Sequence, residues 1–211
     1  MTSETAIRHE HRLDPEDAAR ANFYALLARL YASAPDAPLL GAIAGARPLS
    51  PESEPGGEGR LAADWDALRA ASAAADARAV GDEFQALFIG IGKSEVSLYA
   101  SHYLGPQSGR PLADLRAALA GIGLARRPES SEFEDHLAVE LETMRMLVAG
   151  DSQRLPAPVA EQRAFCERFL LPWAFGCCNA ISECPIANYY VEVAQFSASF
   201  LALERDSFAI E

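Results

Sequence analysis

Apolar residues recur along this chain with the period of an α-helix. Phe133, Leu137, Leu141 and Met144 stand at spacings of four, four and three, which places them on one helical face. Ser131 and Glu134 stand in the S-x-x-E relation of a capping box, so the spacing predicts a helix from Ser131 to about Val148, stopped by Gly150. Pro128, just upstream, keeps the preceding residues out of it. Nearer the start, Asp14 suits an N-cap, Pro15 the first helical position, and Glu16 and Asp17 the first turn. Phe23, Leu26, Leu27, Leu30 and Tyr31 then share a face, and Pro35 and Pro38 are expected to end that helix. Leu39 to Ala46 reads as another turn or two. Leu61 to Ala79 is dominated by alanine, with Trp65 and Leu68 on one side; Gly81 is expected to break it, and Asp82 to Ile89 to continue as a second piece. Helices are also predicted over Pro111–Ala120, Pro158–Ala180 with a bend at Pro172, and Ile186–Glu204. No segment alternates convincingly with the period of a strand. The expected class is all-α: a single-domain helical bundle with long loops.

Composition bounds the picture. The chain has 211 residues, half of them hydrophobic, which is enough for one sizeable core. Residues 47–60, RPLSPESEPGGEGR, cannot pack a core and read as an exposed, mobile loop. Residues 1–13 read as a flexible N-terminal tail. A net charge of −12 argues against nucleic acid or an anionic membrane as partner. Met1 to Arg20 has no apolar core of a signal peptide, and no apolar run approaches the ~18 residues that span a bilayer. The expected location is the cytoplasm.

Candidate chemistry is concentrated in the middle of the chain. Asp135 and His136 fall in the first turns of the predicted core helix. A carboxylate there is favoured by the helix dipole, and a histidine can simply be a buried hydrogen-bonding group. The functional alternative is a recognition or catalytic pair on the rim of a groove. The segment Val96 to Pro106 is aromatic and hydroxyl-rich, a loop that either packs its tyrosines on the core or binds a ligand. Gly90-Ile91-Gly92-Lys93 lacks the spacing of a phosphate loop. As an enzyme, the chain would use Asp135, His136 and Glu140 as an acid–base set or as metal ligands. However, no Glu stands three residues before any His, and no H-E-x-x-H or G-x-S-x-G occurs. As a metal or redox sensor, it would use Cys166, Cys177, Cys178 and Cys184. Residues eleven apart on one helix are separated by ~16 Å along its axis, adjacent ones point about 100° apart, and there is no C-x-x-C.

The order and spacing of four pieces resemble the TorD/DmsD family of redox-enzyme maturation chaperones. These are Phe84-Gln85-Ala86-Leu87-Phe88-Ile89-Gly90, Tyr99-Ala100-Ser101-His102-Tyr103, Glu132-Phe133-Glu134-Asp135-His136-Leu137, and Leu171-Pro172-Trp173. The resemblance as a whole covers roughly Phe23 to Phe208. The third is similar to the family's E-P-x-D-H-[LI] hallmark, with Phe133 in place of its proline. Phe169 stands where many members have a histidine.

The resemblance implies a cytoplasmic chaperone without catalytic turnover, cofactor or metal. It would bind the N-terminal signal, often of twin-arginine type, and the apo body of a molybdopterin oxidoreductase, delaying export until the cofactor is inserted. Both monomers and domain-swapped dimers occur in the family, so a homodimer is open. Asp135 and Glu134 would pair with an arginine of the signal, and His136 would hydrogen-bond the peptide or hold Asp135. Tyr99, Ser101, His102 and Tyr103 would form the opposite wall.

Overall fold

The computed structural model describes residues 13–49, 57–90, 94–105, 111–124, 133–152 and 154–210, and among them all regular structure is helical. The expected tail up to residue 12, residues 50–56 of the loop, 91–93 of the glycine pair and the capping residue Ser131 lie outside this set.

Helix α1 (Pro15–Ala32) begins as its sequence dictates: the Asp14 carboxylate accepts the Asp17 N–H at 2.8 Å. Pro38 does not close it. A second aspartate, Asp36, accepts the Leu39 N–H at 3.0 Å and opens α2 (Ala37–Ala44), with Pro38 in its first turn, where a missing N–H costs nothing. Helix α3 (Gly57–Ala74) starts inside the stretch expected to be loop, so only its described beginning, residues 47–49, is irregular. The break between α3 and α4 (Ala77–Phe84) falls at Asp76, not Gly81. The Asp76 side chain caps the Ala79 N–H at 2.9 Å, and the new helix runs through Gly81 into a π-helical turn over Gln85–Ile89. A helical glycine costs only about 1 kcal/mol, which a good cap and a buried face offset.

Next come α5 (Ala100–Tyr103), α6 (Pro111–Gly121) and α7 (Leu137–Ala149). Gly150 ends α7 at φ 68°, where a Cβ would stand 2.4 Å from the Arg154 carbonyl oxygen; only glycine fits. The last stretch is α8 (Val159–Phe165), a π-helical turn over Cys166–Leu170, α9 (Leu171–Glu183) and α10 (Tyr189–Ile210). The expected bend at Pro172 is replaced by that π turn. The widened turn before the proline accommodates its ring and its missing N–H.

Helix α1 lies along α7, and α10 packs against α3 and α9 and touches α1. The buried side chains Tyr24, Leu27, Tyr31, Leu68, Met144, Trp173, Phe196 and Phe200 form the centre of one core. Two polar devices tie its helices together. The Arg20 guanidinium donates to both oxygens of Glu204, at 2.8 and 2.9 Å, while Tyr24 donates to the same carboxylate at 2.8 Å. Burial alone would lower the Arg20 pKa; the hydrogen bond and charge of Glu204, joined by Asp17, more than reverse this and raise it. Glu83 of α4 caps α10 from outside, accepting the N–H groups of Asn188, Tyr189 and Tyr190 at 2.8, 3.0 and 2.9 Å.

Candidate functional site: a carboxylate-lined cavity at the start of α7

Two chain segments far apart in sequence are clasped together here. Tyr99 and His136 form an antiparallel bridge, with Leu137 N–H donating to the Leu98 carbonyl at 2.8 Å and Ala100 N–H to the Asp135 carbonyl at 2.9 Å. The side chains complete it. Asp135 Oδ2 accepts the Ser101 N–H at 3.2 Å, capping the first turn of α5, and His136 Nδ1 accepts the Ala138 N–H at 3.1 Å, capping α7. Helix α7 therefore begins at Leu137 rather than Ser131. Phe133 is not on its apolar face: it lies in the preceding turn, half-exposed. A histidine with a turn before it competes for the helix start because its ring nitrogen can take an orphan N–H directly.

The clasp walls a cavity of about 250 Å³ lined by Ala100, Leu104, Asp114, Leu115, Asp135, Glu140, Arg168, Phe169 and Pro172. Helices α5 and α6 form one side, the start of α7 another, and the π turn with α9 the third. Asp135 is 3 % exposed and Glu140 1 %. Glu140 Oε2 accepts the Trp173 indole N–H at 2.9 Å, and the Trp173 ring stacks on Tyr103 with centroids 5.6 Å apart. Burial raises the Glu140 carboxyl well above its ordinary value of 4.5; the indole hydrogen bond opposes this and the Asp135 charge adds to it. Arg168 carries its guanidinium 5.1 Å from the centre of the Phe169 ring.

A carboxyl whose pKa rises on folding stabilises the fold fully below its unfolded value, and that contribution is lost as pH climbs through the folded value. Glu140→Gln keeps a carbonyl acceptor for the indole and removes the titration. The variant is expected to be more stable than the natural chain at neutral pH, with a flatter decline above pH 4.5. Urea unfolding at a series of pH values checks this; parallel profiles for the two proteins would refute it.

Of the residues expected to bind a client, only Asp135 lines the cavity, where it is joined by Glu140 of the enzyme alternative. Its neighbour His136 is buried, with the edge of its ring against Tyr99. Glu134 faces Arg116 of α6 at 3.0 Å. Ser101 contributes its backbone N–H, and the exposed His102 packs on Tyr103, whose hydroxyl donates to the Ser97 carbonyl at 2.9 Å. Asp114, Leu115 and Arg168 gave no sequence signal. Glu140 did, as an acid three residues after Leu137 and four before Met144, in the middle of an apolar stripe. Three of the cysteines, Cys166, Cys177 and Cys178, are buried, and burial pushes the first two thiols up to about 12. Among the described residues no group of three or more His, Cys, Asp or Glu side chains is placed to hold a metal ion.

The family profile for the nitrate reductase delta subunit matches residues 56–179, more than half of the chain and all of the cavity wall. The chain belongs to this TorD-like family. Its similarity to individual members is moderate. A protein named Chaperone protein TorD from Photobacterium profundum is 34% identical over 135 residues, covering 56% of this chain and 62% of the relative. Namesakes from Aliivibrio salmonicida and Aliivibrio fischeri are 29% and 28% identical over 130 residues, each covering 58% of this chain and 60% of the relative. The aligned part thus spans about three fifths of these relatives. Family membership accounts for the all-α architecture, and no described helix is long and apolar enough to cross a membrane.

Proposed function

We propose that this protein is a cytoplasmic maturation chaperone for a molybdopterin oxidoreductase, and that the cavity beside Asp135 receives the client's N-terminal signal. Family membership and relatives named as chaperones support the general role. The observation that carries the site is Asp135, an acid almost wholly withdrawn from water yet forming the wall of an accessible cavity. A twin-arginine signal offers guanidinium groups followed by an apolar helix. Asp135 with Asp114 suits the first part, and Leu104, Leu115, Phe169 and Pro172 suit the second. A guanidinium entering a dry, carboxylate-lined space forms charge-assisted hydrogen bonds stronger than any available on the surface. The role needs binding and release, with no chemical step.

Asp135 and His136 both cap helices, so replacing them with alanine would loosen the clasp as well as the site. Asp135→Asn keeps an acceptor for Ser101 N–H and removes the charge. It is expected to weaken a synthetic twin-arginine signal peptide about tenfold, the loss of one charge-assisted hydrogen bond, with far-UV circular dichroism unchanged. Fluorescence anisotropy with labelled peptide measures this. Equal affinity for both proteins would remove Asp135 from the interface.

A further inference from the structure

The cavity holds a second carboxyl group that the reading above leaves unused. Glu140 lines the same space as Asp135, is 1 % exposed, and has one oxygen committed to the Trp173 indole. We propose that Glu140 is the second carboxylate of a guanidinium site, and that a cationic side chain enters beside Asp135 in exchange for one proton. This rests on the signal-binding reading and names how that site is loaded.

The surroundings decide the stoichiometry. Helix α6 presents Asp114 to the cavity, the turn before α7 presents Asp135, the π turn presents Arg168, and α9 presents only the neutral Trp173 N–H and Pro172. The lining residues of α5, Ala100 and Leu104, carry no charge. Arg168 is solvent-exposed and held over the Phe169 ring, and Arg116 of α6, ion-paired with Glu134 at 3.0 Å, is a second cation whose charge reaches Asp135. The raised affinity of Glu140 for protons follows from its burial first and the Asp135 charge second. A guanidinium inside the cavity favours the ionised form of Glu140: it brings a positive charge between the two carboxylates and fits a carboxylate with two parallel N–H donors. The proton leaves Glu140 for solvent, and the ion pair replaces it with no other change in charge. Binding therefore tightens as pH rises until Glu140 is ionised in the free protein.

Calorimetric titration of the full chain with the twin-arginine peptide, at pH 7 in buffers of different ionisation enthalpy, counts the protons exchanged. The natural protein is expected to release protons as the peptide binds, by linkage. Glu140→Gln, which keeps the indole acceptor, is expected to bind about tenfold more weakly and release none. A peptide with both arginines replaced by glutamine is expected to release none from either protein. Peptide binding to the natural protein without proton release, or equal release by Glu140→Gln, would overturn this inference alone. Failure of the peptide to bind at all would overturn the signal-binding reading and this inference together.

Discussion

Glu204→Ala is expected to cost about 2–4 kcal/mol of unfolding free energy, because it takes the carboxylate from a part-buried guanidinium and the acceptor from a buried hydroxyl. Arg20 would lose the two hydrogen bonds at 2.8 and 2.9 Å that Glu204 now accepts, and Tyr24 would lose the acceptor of its buried hydroxyl. What remains for Arg20 is Asp17 at 2.7 Å and the Gln162 side-chain oxygen at 3.1 Å, neither able to replace a fully buried carboxylate. The double change Arg20→Met with Glu204→Leu removes both charges and fills similar volume but still orphans the Tyr24 hydroxyl, so it is expected to cost about 1 kcal/mol, less than the single change. Urea unfolding followed by circular dichroism compares the three. A single variant costing no more than the double would show that the pair behaves as though it were in solvent.

The second large effect is expected at Trp173. Trp173→Ala should destabilise by about 3–5 kcal/mol, the range for deleting a buried aromatic side chain. The indole is 1 % exposed, lies against Tyr103, and donates its N–H to Glu140. Trp173→Phe separates two causes: it keeps a ring against Tyr103 but leaves the Glu140 oxygen without its donor, at a cost of about 1–3 kcal/mol. Denaturant midpoints at fixed pH measure both. A phenylalanine variant as unstable as the alanine variant would mean that the hydrogen bond, and not the packing, dominates at this position.

Much of the fold was legible because local chemistry sets helix ends. Asp14 with Pro15 fixed the start of α1, and Gly150 the end of α7, since a proline at the first position and a glycine in the left-handed region act through the backbone alone. Asp36 and Asp76 carry the same capping signal, but Pro38 and Gly81 beside them carry the competing signal of helix breakers. A proline or glycine beside a capping aspartate says less than the aspartate itself. The two π turns were not legible, because one extra residue in a turn leaves the apolar pattern on either side intact.

The family hallmark identified Asp135 as a residue of interest, and the cavity contains it. The remaining lining residues come from α5, α6, α7, the π turn and α9, which only tertiary packing brings together. Arg20 and Glu204 are 184 positions apart and belong to helices whose contact no local pattern encodes. Glu140 was the exception: a lone acid inside an apolar stripe is visible in one dimension, although its partner Trp173 is not.

The clasp between Tyr99 and His136 also bears on the order in which the molecule assembles. The body of α7 is held by bonds between near neighbours and can form early. Its entrance depends on Leu98, and the cap of α5 depends on an Asp135 oxygen 34 residues away from the Ser101 N–H. Closing that interval carries the entropy of a long loop before any contact rewards it. Closure of the clasp is thus expected to follow formation of the helices it joins, and the cavity wall is complete only once it has closed.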